Sequence, residues 1–151
     1  VRRFASILLV DPRGWVLLQE RDEHPVIDPE RWGFVGGHVD PGEQPGDAAY
    51  RELEEETGLV IAPPGLPLWR EFSVHHAAYG SDDDVFVYAA ATTATDDDVV
   101  LGEGRQIVFV DPDRLGELPL TASAARILPD FLGSDRFRSL VEEAAIAARN
   151  R

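Results

Sequence analysis

One helix with a marked start and stop constrains this chain more than any other feature. Pro45 lies near its beginning, where a missing N–H costs nothing. Asp47 sits in the first turn, favoured by the helix dipole, and Gly58 follows as a C′ glycine. Ala48 and Leu53 belong to a face that can pack on a sheet. Glu52, Glu55 and Glu56 are spaced i, i+3 and i+4, so they share one face. Like charges at i,i+4 cost a few tenths of a kcal/mol per pair on an exposed helix, so the arrangement calls for cations among them. Mg²⁺ takes oxygen ligands and retains several waters, which suits a carboxylate cluster completed by substrate phosphates. Upstream, Gly36-Gly37 reads as a tight turn of backbone that approaches a ligand closely, with a free carbonyl there as a neutral metal ligand. Glu43, just before the helix, is placed either to pair with Arg51 or to orient a metal-bound water. Arg51 has the planar fork for a bidentate carboxylate bond.

The rest of the chain supplies a sheet for this helix. Arg2 to Val10 and Trp15 to Gln19 read as strands joined at Asp11-Pro12-Arg13-Gly14, a hairpin. Residues 21–31, with Pro25 and Pro29, form a loop, and Trp32 to Val35 is a short strand entering the glycine pair. After the break at Pro63-Pro64-Gly65, Leu68 to Tyr79 and Val85 to Thr92 read as strands joined by an acidic turn, Ser81 to Asp84. Gln106 to Val110 is a further strand; Ala122 to Leu132 and Arg136 to Ala148 are helical. Leu140, Val141, Ala144 and Ala148 make a stripe that packs on the chain's own sheet in preference to a partner subunit. The expectation is one α/β domain over residues 1–151, a monomer or a homodimer. A chain of 151 residues buries roughly 70% of its unfolded surface.

Composition closes several routes. There is no cysteine, which excludes disulfides, thiolate zinc sites and cysteine nucleophiles. All 14 basic residues are arginine, so Schiff-base chemistry and a P-loop lysine are absent. The net charge of −14 argues against a nucleic-acid polymer, which needs a basic stripe, but not against a small phosphorylated molecule brought in with metal. No run approaches the length of a membrane span and no signal peptide is visible, so a cytoplasmic location is expected.

The stretch from Gly37 to Leu59 resembles the Nudix box, G-x5-E-x7-R-E-U-x-E-E-x-G-U with U apolar. Gly37, Glu43, Arg51, Glu52, Leu53, Glu55, Glu56, Gly58 and Leu59 all fit, against a chance of roughly 10⁻⁸ to 10⁻⁷ per register. Two flanking positions depart from the common pattern: Val35 where many members carry Pro, and Asp40 where many carry Glu. The resemblance implies an α/β/α sandwich, a mixed β-sheet between helices. It implies that Glu52, Glu55 and Glu56 hold Mg²⁺ (Mn²⁺ substituting) with the Gly37 carbonyl, and that Glu52 is a candidate general base. A further acidic residue often follows the box in this family; Glu103, within Gly102-Glu103-Gly104, is the choice here. Glu52, Glu55 and Glu103 are then the catalytic carboxylates, and Glu43 and Arg51 support them. Arg21 ends the second strand, where related proteins place a phosphate-binding arginine, and His38 is a second phosphate candidate. Phe34, with Trp32, Phe72 and Tyr79, is a candidate base-stacking ring, although strand aromatics are more often core.

The implied activity is Mg²⁺-dependent cleavage of a diphosphate linkage in a small nucleotide-type substrate. The reading leans to a nucleoside triphosphate or a modified one, giving monophosphate and pyrophosphate. Nucleotide sugars, ADP-ribose and dinucleoside polyphosphates are the alternatives. The isomerases of the same fold use a cysteine, which is absent. A non-catalytic nucleotide sensor is the alternative of another class, but such domains usually lose box carboxylates and this chain keeps them all. His75-His76 resembles a metal pair, yet adjacent strand residues face opposite ways. The acidic triplets Asp82–Asp84 and Asp96–Asp98 read as solvated turns.

Overall fold

Strict alternation along the strands divides the apolar residues into two sets, and in the computed structural model, which describes residues 1–151, each set meets its own helical layer. In strand β1 (Arg3–Val10), Leu8 and Val10 face one side, while Ala5, Ile7 and Leu9 face the other. Strand β2 (Val16–Glu20) repeats the division with Val16 and Leu18 against Leu17. Helix α1 (Pro45–Thr57) covers the second side through Ala48, Ala49 and Leu53. Helices α2 (Ala122–Leu132) and α3 (Asp135–Arg149) cover the first with Ile127, Leu128, Phe131 and Leu140. Burying each such side chain contributes about 1.5–3 kcal/mol. The result is the expected mixed sheet between helices, with α3 on the chain's own sheet; Leu140 and Ala144 are buried, whereas Ala148 is exposed.

The sheet also contains β3 (Trp32–Gly33), β4 (Val35–His38), β5 (Leu68–His76), β6 (Ser81–Ala91) and β7 (Gln106–Val110). β6 runs parallel to β1 along its whole length. On β1's other edge, β4 pairs antiparallel over Phe4 to Ile7, and β2 is joined only at Val10–Val16. The first two strands therefore meet at their turn and then diverge. The gap between them admits β4, and this opening shapes the functional cleft.

Three expectations are corrected. Gly36-Gly37 is not a turn but lies in the extended strand β4, opposite Ser6 and Ala5. A Cβ on Gly36 would sit 2.1 Å from the Ala5 carbonyl oxygen, and its φ is +150°, so close approach of β1, not chain reversal, demands glycine. The strand expected over Trp32–Val35 is broken at Phe34 into β3 and β4. The acidic segment Asp82–Asp84 belongs to β6, and the turn is Ala77–Gly80, with Gly80 at φ +62°. Asp83 is fully buried there. Asp96–Asp98 form an exposed 3₁₀ turn capped by Thr95, as a solvated turn should be, and Asp96 also accepts the Phe109 N–H.

Candidate functional site

α1 begins at Pro45 without a side-chain cap and ends at Gly58, whose φ of 74° lets its N–H return to the Glu54 carbonyl. Between these limits the helix presents its carboxylates to β4. Glu52 lies hard against Gly37: a Cβ there would be 2.5 Å from Glu52 Oε1. The glycine strand and the glutamate helix thus form one unit.

Arg51 ties this unit to the loop before the helix. Its Nε and Nη2 donate to Glu43 Oε2 and Oε1 at 2.8 and 2.9 Å, the bidentate fork expected of the pair. Nη1 donates to Glu52 at 3.0 Å and Glu55 at 3.2 Å, and Nη2 to the His38 carbonyl at 3.1 Å. Of the two roles open to Glu43, the structure has the pairing with Arg51. Glu43 also accepts the Asp40 N–H. Its hydrogen bonds from Arg51 hold its carboxyl down at about 2.

Glu56 is in a different environment. It is 8% exposed, and its Oε2 accepts the Gly36 N–H at a long 3.4 Å. Burial, and then the adjacent Glu52 charge, raises its carboxyl to about 8. Burial also raises Glu52, against the pull of Arg51. Both shifts follow from placing carboxylates together away from water. Glu103 completes the acidic wall; its charge is felt at Glu56. The Gly102 N–H donates to the Glu56 carbonyl at 2.9 Å, and a Cβ on Gly102 would be 2.6 Å from the Glu55 carbonyl oxygen. Gln19, buried at 5% exposure after three apolar residues of β2, donates from Nε2 to the Glu103 carbonyl at 2.9 Å. Sequence reading missed Gln19; its one signal was a polar residue following Val16-Leu17-Leu18.

These residues line one cleft of about 1110 Å³. Gly37, Glu52, Glu55, Glu56 and Glu103 all border it, as do Arg21, His38 and Phe34. Arg21 Nε is buried with no hydrogen-bond partner in the protein, which leaves a guanidinium N–H for a ligand. Partial burial and the nearby Arg2 charge lower the His38 imidazole below its ordinary value. Phe34 is 7% exposed and belongs mainly to the core, like Trp32 and Phe72, which do not reach the cleft. Tyr79 does border it.

His75 and His76 separate as alternation requires. His75 is exposed and pairs with Asp82, whereas His76 is buried and pairs with Asp83. Asp83 also accepts the Arg2 N–H and the Ser81 hydroxyl, each at 2.9 Å. Burial alone would push its carboxyl up, but these donors and His76 bring it down to about 2. The acidic composition of the segment concealed this buried pair. The oxygens of the box glutamates do not converge as tightly as Asp22, Glu23 and His24, whose ligand atoms lie within 4.8 Å of one another in the loop after β2.

A mixed sheet between helices, with a glycine strand and a glutamate-bearing helix walling an acidic cleft, is the layout of a Nudix domain. The NUDIX domain model matches residues 1–131, and the chain belongs to the Nudix family, hydrolases acting on diphosphate bonds. Over 57 residues it is 40% identical to an RNA pyrophosphohydrolase of Rhodospirillum rubrum, covering 38% of this chain and 32% of that protein. Over 74 residues it is 36% identical to the m7GpppN-mRNA hydrolase NUDT17 of Bos taurus, covering 49% of this chain and 24% of that one. The matches thus span a third or less of these relatives' own lengths. Among solved structures, a MutT protein from Methanosarcina mazei Go1 superposes with a TM-score of 0.65 at 21% identity, covering 94% of each chain. The NUDIX domain of Shewanella oneidensis NrtR complexed with ADP ribose superposes at 0.69 and 18% identity, covering 84% of this chain and 83% of that one. No helix is long and apolar enough to cross a membrane.

Proposed function

We propose that this protein hydrolyses a diphosphate bond in a small nucleoside-diphosphate-linked substrate with Mg²⁺ as cofactor, and that nucleoside triphosphates or modified ones are its substrates, giving a monophosphate and pyrophosphate. The observation that carries the reading is the packing of Glu52 against Gly37 beside the buried Glu56, in a cleft that Glu55, Glu103 and Arg21, with its unpartnered Nε, also border. Carboxylates gathered in this way away from water are stabilised by a bound cation. The donor set fits Mg²⁺: Glu52, Glu55, Glu56, Glu103 and the Gly37 carbonyl offer only oxygen. Mn²⁺ would be accepted by the same donors.

Glu52, Glu55, Glu56 and Glu103 would hold the metal with the Gly37 carbonyl. When bound, the metal supplies a lowered water pKa and positive charge beside the phosphates. The remaining work belongs to the chain. Arg51 engages Glu52 at Oε1, leaving Oε2 to take a proton from the attacking water. Arg51 and Glu43 fix the helix against the preceding loop, so the carboxylates are positioned before substrate arrives. Arg21 offers its unpaired Nε–H to a phosphate oxygen, with His38 beside Gly37 as a second contact. The Gly102–Gly104 loop sets Glu103 against Glu56.

The names of the curated relatives bring RNA 5′ ends into consideration. A chain of −14 net charge without lysine is poorly suited to track a polymer, so small nucleotides are preferred. The test is a panel of nucleoside triphosphates, dinucleoside polyphosphates, nucleotide sugars, ADP-ribose and a 5′-triphosphorylated short RNA, with and without Mg²⁺, products resolved by chromatography. Mg²⁺-dependent release of pyrophosphate and a nucleoside monophosphate is expected. Turnover of the RNA alone would overturn the substrate assignment. No turnover across the panel by folded protein would overturn the hydrolase reading in favour of a nucleotide sensor.

A further inference from the structure

The cleft has a second wall that the glutamates do not explain. Phe4, His38, His76 and Tyr79 border it and form a chain of ring contacts: Phe4 to His38 at 4.5 Å, Phe4 to His76 at 5.2 Å, His38 to Tyr79 at 6.5 Å. The Arg2 guanidinium lies 3.5 Å over the Tyr79 ring and holds it in place. β1, which carries Phe4, separates β4 from β6, and β5 lies beyond β6. β5 is therefore three strand spacings from Gly37, about 14 Å, and the His76 ring leans back over part of that distance to reach Phe4. A nucleotide with its phosphates at the glutamates would extend its base towards this wall.

His76 is built for more than packing. It is 5% exposed, and its Nδ1 lies 2.7 Å from Asp83 Oδ2. Asp83 is completely buried and already accepts from the Arg2 N–H and the Ser81 hydroxyl. An ionised carboxylate only accepts, so the imidazole carries its proton on Nδ1. In the neutral ring Nε2 is then an acceptor. Nε2 has no partner in the protein, yet it is not an orphaned buried atom: Arg21 Nε alone has that status. The ring that carries it borders the cleft.

We propose that His76, oriented by Asp83, is a specificity residue that accepts a hydrogen bond from the exocyclic amino group of a nucleobase lying against the Phe4–Tyr79 wall. The assignment rests on the nucleotide-substrate reading and adds to it a preference for amino-bearing bases. Ser81 and the Arg2 backbone bind Asp83 rather than ligand, and so serve as positioning groups.

The test measures binding rather than turnover, with Mg²⁺ present and with monophosphate ligands, which have no diphosphate bond to cleave. Calorimetry with pairs of ligands that differ by one amino group, AMP against purine riboside 5′-monophosphate and GMP against IMP, is run beside ribose 5-phosphate. Wild type should favour the amino member of at least one pair by about tenfold, the effect of one hydrogen bond in a desolvated site. His76→Phe keeps a ring against Phe4 and should abolish that preference while leaving ribose 5-phosphate unchanged. No preference in wild type, or an equal loss for ribose 5-phosphate in the variant, would overturn the proposal. Nitrogen-15 NMR of the wild-type imidazoles adds a readout that packing alone does not move: His76 should show a protonated Nδ1 and a bare Nε2 that shifts on adding the favoured nucleotide. A proton on Nε2 in the free protein would overturn the tautomer. The outcome is separable from the hydrolase reading, because a catalytically silent protein can still show or lack the preference.

Discussion

Replacing Gly37 with alanine separates positioning from folding. Gly37 has ordinary strand backbone, since it is absent from the positive-φ glycines, so alanine strains nothing locally. Its Cβ would meet Glu52 Oε1 at 2.5 Å, Cδ at 2.7 Å and Oε2 at 2.9 Å. All three atoms are the end of a flexible side chain, so the carboxylate moves rather than the strand. To reach an ordinary 3.4 Å contact, Oε1 must retreat by about 0.9 Å. A displacement of that order at a reacting group costs about 100-fold in rate, near 2.7 kcal/mol of barrier. The fold should lose nothing, and the smaller entropy of the unfolded chain offsets residual crowding by about 0.4–1 kcal/mol. Gly36→Ala is the contrasting control. Its Cβ would lie 2.1 Å from the Ala5 carbonyl oxygen and 3.0 Å from Ser6 Cα, all backbone, at a φ of +150°. That variant should lose about 2–4 kcal/mol of stability. The assay is thermal unfolding beside steady-state turnover on the substrate identified by the panel. A Gly37→Ala protein that turns over as fast as wild type, or that melts like Gly36→Ala, would refute the claim that Glu52 is held in its working position by the missing side chain.

Other consequences are as direct. Glu55→Gln keeps the helix, since residue 55 is exposed, and should cut turnover by about 10²- to 10⁴-fold with an unchanged melting temperature. Glu43, held down at about 2 against an ordinary 4.5, contributes stability that is complete above the ordinary value and disappears as pH falls to the lower one; the melting-temperature gap between wild type and Glu43→Gln should close over that interval. Glu56 runs the other way. Without metal the folded protein keeps a proton on it up to about 8, while the unfolded chain releases it near 4.5. The metal-free melting temperature should therefore fall as pH rises through that window, and Glu56→Gln should remove this component. Mg²⁺ should restore the loss at the alkaline end, and a flat metal-free profile would contradict the burial argument for Glu56.

Much of the fold was legible because its signals are local. Pro45 and Gly58 marked α1, and apolar runs beside turn residues marked β1, β2 and β7 to within a residue. The failures share a cause: the deciding neighbour is distant in sequence. Gly36-Gly37 has the composition of a turn, and what makes it a strand is β1, distant in sequence, pressing on it at Ala5 and Ser6. The hairpin of the first two strands was visible in its turn, but their divergence beyond Val10–Val16 follows from β4 entering between them. Asp82-Asp83-Asp84 looks solvated by composition, and Asp83 is buried because the Arg2 backbone, Ser81 and His76 satisfy its carboxylate. A polar triplet can enter a sheet only where such partners wait, and no local pattern reveals them.

The same division runs through the site. The glutamate wall was readable because one helix, one glycine pair and one arginine supply it within Gly37 to Leu59, and the spacing of charges along a helix already contains their geometry. Glu103 was reachable through its flanking glycines, and the structure gives those glycines a further reason: Gly102 must pass the Glu55 carbonyl with no room for a Cβ. The opposite wall is assembled by sheet register alone. Phe4 meets His38 because β1 and β4 are paired at those residues, and His76 meets Asp83 across the hairpin of β5 and β6. Register is a property of the whole sheet, so a residue's role there cannot be read from its neighbours in the chain. Chemistry encoded along one helix and recognition encoded across strands can change separately: a substitution at position 76 or 79 leaves every box contact of Arg51 intact. Substrate preference can thus shift on an unchanged hydrolytic centre, which is why the box identifies the reaction more readily than the substrate.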